Sequence, residues 1–279
     1  MDEPRLSPFE AVTDGVYVAV AEPASVNVGL VVGTESALVV DTGSSPHQGE
    51  QIRQAAEQVA GVPLGAVAVT HWHWDHFFGL AAFADLPSYG HETLAERLGS
   101  PDLLAEAAGQ GVDATELRAP NRPFSLARVI DLGGRRVELV HFGRGHTEGD
   151  VVAIVPDANT IVAGDLLEQS GPPSFGPDCH LKDWPSAVDG ILGLVDEDTV
   201  LIPGHGSPVD RFYGFEQRAR ISAVYGQVEY LVSRGVKLDA AYQAGEWPFE
   251  AEVIRPLLPL AYQQLAAEGK VPRTHLPML

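Results

Sequence analysis

The segment THWHWDHFFGL, residues 70–80, places three of the chain's 10 histidines and one aspartate within six residues. If the backbone stays extended after the apolar run that precedes it, His71 and His73 point to the same side, because side chains alternate along extended backbone. Asp75 and His76 are adjacent and project differently, particularly if a helix begins at Asp75. One short segment can therefore offer ligands to two metal ions, although too few for either ion alone.

Three further candidate ligands follow apolar runs in the second half of the chain. His146 lies in GRGHTEGD after VELVHF, Asp165 follows TIVAG, and His205 lies in IPGHG after TVLI. Glycine lets the backbone turn sharply and approach closely at such positions. One histidine in a glycine-bounded turn is more typical of a hydrogen-bonding residue than of a ligand. The complete set is hard to explain by packing, because buried imidazoles and carboxylates need partners.

Short valine-rich runs separated by glycine, proline or polar residues predict the strands that position these residues. The runs are GVYVAV, VNVGLVV, ALVVDTG and LGAVAVTH in the first half, and ARVIDLG, RRVELVHF, DVVAIVP, NTIVAGD and TVLIPGHG in the second. The run LGAVAVTH delivers His71 at its end. Helices are predicted at WPSAVDGILGLV and at SPHQGEQIRQAAEQVAG, where Ser45 and Pro46 begin the helix and Gly61 ends it.

Composition limits the class of protein and its partners. The chain has 279 residues, of which 45% are hydrophobic, enough for one large domain or a domain with a small appendage. Its formal net charge of -20 repels phosphate backbones and anionic membrane surfaces, so we expect neither nucleic acid nor membrane as a partner. The single cysteine and the absence of a signal peptide in MDEPRLSPFE predict a cytoplasmic protein without disulfides.

Two regions have less specific patterns. Residues 91–126 look helical and then loop-like, and Pro120 and Pro123 are typical of a flexible connection or lid. An ordinary surface excursion explains this region equally well. After Pro208 the periodicity is helical and no strand is predicted. We expect a C-terminal helical extension packed on the core, and the sequence leaves open whether it covers the site or forms a homodimer interface.

The run HWHWDH, followed in order by GHT, GD and GHG, resembles the metallo-β-lactamase-fold hydrolases over roughly residues 16–208. The resemblance implies an α/β (α+β) fold, an αββα sandwich of two facing mixed sheets with outer helices and a metal site at one edge. It implies a catalytic domain at residues 1–208 and leaves 209–279 as the helical extension. Transferred residue by residue, it assigns the first metal to His71, His73 and His146, the second to Asp75, His76 and His205, and a bridging role to Asp165.

This arrangement implies hydrolytic chemistry without a serine or cysteine nucleophile. Two divalent cations roughly 3.5–4 Å apart share a water whose pKa falls from near 16 to about 7, which gives a hydroxide that attacks a carbonyl carbon. Asp75 would be the catalytic residue that orients the hydroxide and shuttles its proton. Nitrogen and oxygen ligands favour two zinc ions per chain without excluding iron or manganese. No other cofactor is predicted.

Several neighbouring residues have less secure roles. His141 lies five positions before His146 and is more typical of a packed or supporting histidine than of a ligand. Cys179 and His180 lie in a proline- and glycine-rich loop after Asp165, where lining a substrate pocket and an ordinary loop are equally consistent with the sequence. The two tryptophans of HWHWDH most simply wall the site.

The resemblance does not name the substrate, because the superfamily includes β-lactamases, glyoxalase II thioesterases, lactonases, persulfide dioxygenases and nucleases. Asp165 stands where many zinc β-lactamases have cysteine or serine, and Glu168 stands where well-known lactonases have tyrosine. We therefore expect a small-molecule substrate with an ester, lactone, thioester or amide bond. The alternatives are a mononuclear iron oxygenase resembling the persulfide dioxygenases and a true β-lactamase. A non-catalytic binding module would be expected to lack ligands, and none is missing.

Overall fold

The computed structural model describes residues 5–272. The strands within this range are β1 (Arg5–Leu6), β2 (Glu10–Thr13), β3 (Val16–Glu22), β4 (Val26–Val32), β5 (Ala37–Val40), β6 (Leu64–Ala68), β7 (Ser88–His91), β8 (Arg122–Phe124), β9 (Ala127–Asp131), β10 (Arg136–Val140), β11 (Val152–Val155), β12 (Thr160–Glu168) and β13 (Val200–His205). The α-helices are α1 (Pro46–Ala60), α2 (Trp74–Phe77), α3 (Thr93–Arg97), α4 (Pro101–Gln110), α5 (Trp184–Leu192), α6 (Arg211–Ser233), α7 (Leu238–Ala244) and α8 (Ala251–Ala267). Short 3-10 helices occupy Phe78–Phe83, Ala114–Glu116 and Pro156–Ala158.

The strands form one hydrogen-bonded network that folds into two halves. Its main path runs β8-β7-β6-β5-β4-β13-β12-β11-β10-β9, and β3 pairs with β4, β1 and β2. The halves join where His205 of β13 pairs with Val26 of β4. Parallel pairs (β5 with β6, and β12 with β13) and antiparallel pairs occur together, so both halves are mixed sheets.

Three apolar clusters define the layers. The cluster between the sheets combines residues of the first half, such as Leu38 and Val40, with residues of the second, such as Leu139 and Ile202. A second cluster packs α1 and α4 on the outer face of the first half, and a third packs α5, α6 and α8 on the outer face of the second half. Burial of an apolar face on each element is what stabilises such a layered arrangement. The predicted αββα sandwich is confirmed.

The C-terminal helices belong to the same apolar cluster as the second sheet. Ile221 of α6 and Ile254 of α8 are buried together with Leu166 of β12 and Trp184 of α5. Helix α6 begins after Asp210, whose carboxylate accepts a hydrogen bond from the backbone N–H of Tyr213 at 3.0 Å. No helix between residues 5 and 272 is long and apolar enough to cross a membrane. The division of the chain at 208/209 stays a prediction.

The histidine segment itself departs from the extended backbone that we expected. Strand β6 ends at Ala68, and residues 69–73 form an irregular turn before α2. The physical reason is that the backbone N–H of Thr70 donates to the carboxylate of Asp41 at 2.7 Å instead of to a neighbouring strand. Helix α2 begins at Trp74, one residue before the position that the sequence indicated, and a 3-10 helix follows it from Phe78. Strands β1, β2, β7 and β8 were not predicted.

Candidate metal centre

The structure brings all the predicted ligands together at the ends of the strands, in two groups. The first group contains His71, His73, His146 and Asp165, and the second contains Asp75, His76 and His205. Within each group, one nitrogen or oxygen atom per side chain lies within 4.8 Å of the others. The ligands meet at one edge because β5, β6, β10, β12 and β13 all run toward it. The segment after β6 provides His71, His73, Asp75 and His76, and the turn after β10 provides His146. Asp165 lies within β12 and His205 is the last residue of β13, so neither follows its strand as the sequence had indicated.

In the first group three imidazole nitrogens face one point. Nδ1 of His73 lies 3.1 Å from Nε2 of His71 and 2.8 Å from Nε2 of His146. One oxygen of Asp165, Oδ2, lies 3.4 Å from Nε2 of His146. His71 and His146 are almost completely buried, at 1% and 0% exposure. This is a set of nitrogen and oxygen donors of the kind that zinc binds.

The second group lies beside the same aspartate and contacts both of its oxygens. Nε2 of His76 lies 3.2 Å from Oδ1 of Asp165, and Nε2 of His205 lies 3.2 Å from Oδ2 of Asp75. His205 Nε2 also lies 3.6 Å from Oδ2 of Asp165. Asp165 therefore lies between the two groups and contacts both.

The opposite ring nitrogens of the second group are held by hydrogen bonds that orient the rings. Nδ1–H of His76 donates to Oδ2 of Asp41 at 2.8 Å. Nδ1–H of His205 donates to the backbone carbonyls of Ala24 at 3.1 Å and Ser25 at 3.2 Å. A histidine that donates from one nitrogen presents the lone pair of the other, so these contacts direct both Nε2 atoms toward the centre.

The first group has equivalent supports. Nδ1–H of His71 donates to the hydroxyl of Thr70 at 3.1 Å, and Nδ1–H of His146 donates to the carbonyl of Ser174 at 3.1 Å. His73 is oriented the other way round, because its Nδ1 faces the group and its Nε2–H donates to Asp178 at 3.2 Å. Every histidine of the two groups thus turns inward one ring nitrogen, which carries a lone pair when the ring is neutral.

The arrangement fits a pair of divalent cations. Among the residues that the structure describes, Nε2 of His76 and Oδ1 of Asp165 are buried and have no hydrogen-bond partner. Ring nitrogens that converge at 2.8–3.1 Å must share a proton or a cation, because their lone pairs would otherwise repel one another. An unpartnered buried polar atom is costly, so a bound metal ion accounts for both observations.

Electrostatics support the same conclusion. Burial lowers the pKa of His71 well below its ordinary value and lowers that of His146 to about 4, so both rings are neutral. Burial acts to raise the pKa of Asp165, but the charge of His76 and the hydrogen bond from His205 hold it well below its ordinary value. Although burial acts to lower it, Asp165 raises the pKa of His76 well above its ordinary value and that of His205 to about 10. Protons on these two rings therefore balance the carboxylates when no metal is bound, and metal binding would displace them.

A cavity of about 420 Å³ opens over the two groups. Trp74 and Pro177 line it, together with Ser170, Ser174 and the carboxylates of Glu106, Glu168 and Asp178. Within residues 5–272, no lysine or arginine lines this cavity. Glu106 belongs to α4, so the helical part of the 91–126 region forms one wall of the site.

Sequence reasoning missed two carboxylates that support the candidate ligands. Asp41 follows the apolar strand β5, which is the same strand-end signal that identified Asp165, so the pattern was available. Asp178 lies in an irregular loop and is brought to His73 only by tertiary packing, so no local pattern indicates it.

The structure also places the neighbouring residues whose roles the sequence left open. His141 donates from Nδ1 to the carbonyl of Asp150 at 2.8 Å and stacks on His91 at 4.2 Å, outside both groups. Cys179 does not line the cavity, because it is buried in the apolar cluster of the second sheet and burial raises the pKa of its thiol to about 12. His180 is not a lining residue either. Trp74 walls the cavity, as expected, but Trp72 does not line it and instead donates from Nε1–H to Asp178.

Comparisons with known proteins identify the family of the chain. The sequence matches the metallo-beta-lactamase superfamily over residues 21–217. It is 24% identical over 187 residues to a metallo-beta-lactamase type 2 of Bacillus cereus, which covers 66% of this chain and 68% of that protein. It is 25% identical over 194 residues to the probable metallo-hydrolase YqgX of Bacillus subtilis, covering 67% of this chain and 88% of the relative.

A solved structure shows the same fold. The metallo-beta-lactamase from Pontibacter korlensis has a TM-score of 0.63 at 22% sequence identity, and the alignment covers 78% of this chain and 99% of that one. The matched family span includes every candidate ligand. The resemblance inferred from the histidine and aspartate motifs is confirmed, and the chain belongs to the metallo-beta-lactamase superfamily.

Proposed function

We propose that this protein is a dinuclear metal-dependent hydrolase of a small ester, lactone, thioester or amide. One observation carries the proposal: the two groups of donors share Asp165, whose oxygens lie 3.2 Å from His76 on one side and 3.4 Å from His146 on the other. We assign His71, His73 and His146 to a first cation, Asp75, His76 and His205 to a second, and Asp165 to both. The all-nitrogen-and-oxygen set favours zinc.

The chemistry follows from these assignments. Two cations bound there would lower the pKa of a shared water to about 7 and polarise a carbonyl group. Asp75 is buried at 7% exposure, and its Oδ2 lies beside Nε2 of His205, so it is placed to accept and return a proton at the cavity floor. Trp74 and Pro177 place apolar surface along the same cavity.

The cavity's charge narrows the class of substrate. Glu106, Glu168 and Asp178 line it in addition to the proposed ligands, and no basic side chain within residues 5–272 offsets them. Each of these carboxylates would repel an anionic substrate and offset part of its attraction to the two bound cations, whereas an uncharged or cationic substrate would meet no such repulsion from them. This favours uncharged or cationic carbonyl compounds over β-lactams, whose carboxylate calls for a basic partner. The protein's charge of -20 also disfavours nucleic acid as substrate.

A substrate panel tests the proposal. The panel contains a lactone, a thioester, a β-lactam and a phosphodiester, together with a choline ester, its uncharged 3,3-dimethylbutyl analogue and a succinate monoester of matched size. We expect turnover of the uncharged and cationic carbonyl compounds, and slow or no turnover of the β-lactam, the succinate monoester and the phosphodiester. Asp165→Ala should abolish turnover without unfolding the chain. Asp183→Ala is the control, because Asp183 pairs with Arg144 and does not line the cavity. Full activity in Asp165→Ala would refute the proposal.

Metal content separates this proposal from the iron oxygenase alternative. A mononuclear oxygenase needs only the first group, whereas the second group offers three further donors, two of them histidines with oriented rings. Two zinc ions per chain in protein purified without chelator would support the hydrolase, and one iron per chain would support the oxygenase.

A further inference from the structure

The loop between β12 and α5, residues 169–183, supplies the acceptors behind two of the first group's histidines. The carbonyl of Ser174 accepts from Nδ1–H of His146 at 3.1 Å, and Oδ2 of Asp178 accepts from Nε2–H of His73 at 3.2 Å. The same Asp178 oxygen accepts from Nε1–H of Trp72 at 2.8 Å. No acceptor of the second group comes from this loop, since Asp41, Ala24 and Ser25 provide those.

This loop is also a wall of the cavity. Ser170, Ser174, Gly176, Pro177 and Asp178 all line it. The side chain of Asp178 is 12% exposed, so its two hydrogen bonds are largely shielded from water. Two of the loop residues that face the cavity, Ser174 and Asp178, are therefore bonded directly to proposed ligands.

Asp178 controls which nitrogen of His73 faces the centre. His73 presents Nδ1 to the group, and this requires the ring proton to be on Nε2. An acceptor beside Nε2 favours that tautomer and fixes the ring's rotation. A cation on Nδ1 polarises the ring, which strengthens the bond from Nε2–H to the carboxylate.

We propose that Asp178 is a positioning residue for the first metal and couples the 169–183 loop to that metal's occupancy, so that metal binding fixes this wall of the cavity. The inference rests on the proposed function in that it requires metal to bind the first group. Coupling between two events is reciprocal. A change that loosens the loop must therefore lower the affinity of the first group for its metal ion, and loss of that ion must loosen the loop.

Two measurements on the full-length protein test the proposal. Chelator competition gives the affinity for zinc, and hydrogen exchange of peptides from the 169–183 loop is compared with and without zinc. In Asp178→Ala we expect one zinc ion to bind roughly 10–100-fold more weakly while the other changes little. We expect zinc to slow exchange in the loop of the unaltered protein and not in the variant. Asp178→Asn, which keeps an acceptor oxygen, should recover part of the affinity.

Asp183→Ala serves as the matched control, because Asp183 ends the same loop and bonds only to Arg144 among the basic side chains described. It should leave both readouts unchanged. The inference would be overturned if Asp178→Ala bound zinc as tightly as the control. It would also be overturned if zinc did not change hydrogen exchange of the loop in the unaltered protein. A failure of the unaltered protein to bind zinc would instead refute the proposed function. A purely structural role would lower the unfolding temperature of the zinc-free variant and leave its zinc affinity intact.

Discussion

Asp41 supports both groups of the centre through one carboxylate. Its Oδ2 lies 2.8 Å from Nδ1 of His76, and both of its oxygens accept from the hydroxyl of Thr70, which in turn lies 3.1 Å from Nδ1 of His71. Asp41 is 1% exposed and also accepts from the backbone N–H of Thr70. The turn that replaces the end of β6 is therefore built around this side chain.

We predict that Asp41→Ala weakens metal binding and lowers stability together. The substitution leaves the N–H groups of Thr70 and His76 without an acceptor, at a cost of about 1–3 kcal/mol for each buried group. Thermal unfolding of zinc-free protein and zinc titration measure the two effects. Asp85→Ala is the control, because Asp85 pairs with Arg53 at the surface and such pairs contribute about 0–1 kcal/mol. If the two variants behave alike, Asp41 does not organise the centre.

Gly204 offers a way to disturb Asp165 without replacing a ligand. A Cβ at position 204 would overlap Oδ1 of Asp165, so alanine must push the carboxylate away from its place between the two groups. We predict that Gly204→Ala loses at least one metal ion per chain and most of its hydrolytic activity. Elemental analysis and the ester assay check this outcome.

The control for this variant is Gly109→Ala in α4. A Cβ at Gly109 meets no atom within 4 Å, and alanine in a helix is favoured over glycine by roughly 0.5–1 kcal/mol. This variant should keep its metal and be as stable as the unaltered protein or more so. Normal metal content in Gly204→Ala would show that the carboxylate's position is not critical.

The thiol of Cys179 should be inert in the folded protein. Burial raises its pKa from 9.0 to about 12, so the folded state holds this proton more tightly than the unfolded state. This difference in proton affinity stabilises the folded state fully below pH 9, and its contribution to the free energy of unfolding is lost as pH rises toward 12. Labelling with a chromogenic disulfide reagent at pH 8 should be slow without denaturant and fast in guanidinium. Rapid labelling of the folded protein would contradict the observed burial.

The parts of the fold that the sequence predicted well are those with strong local patterns. Helix α1 begins and ends where its serine cap and terminal glycine indicated, with Ser45 accepting from the backbone N–H of Gln48 at 3.1 Å and Gly61 in the left-handed region. Strand β4 coincides with its apolar run. Strand β8 could not be predicted, because its three residues, Arg122–Phe124, contain a proline and depend on pairing with β7.

In the candidate metal centre, too, local sequence patterns predict some features, and others depend on tertiary contacts. Histidine spacing and strand ends were enough to select the residues that converge, since strands that end at one sheet edge must bring their following turns together. The conformation of the turn at Thr70 was not predictable, because it depends on Asp41, which is distant in sequence. The acceptor that supports His73 is Asp178. It lies in an irregular loop, and no periodic sequence pattern predicts how such a loop packs.

The most direct test of the central claim is the metal content of the purified protein and its relation to turnover. Elemental analysis of protein prepared without chelator should give two divalent cations per chain, both removable by a strong chelator. Hydrolysis of the preferred ester should disappear with them and return in proportion as zinc is added back to two equivalents. Full activity in the metal-free protein, or saturation with a single iron ion per chain, would contradict the account.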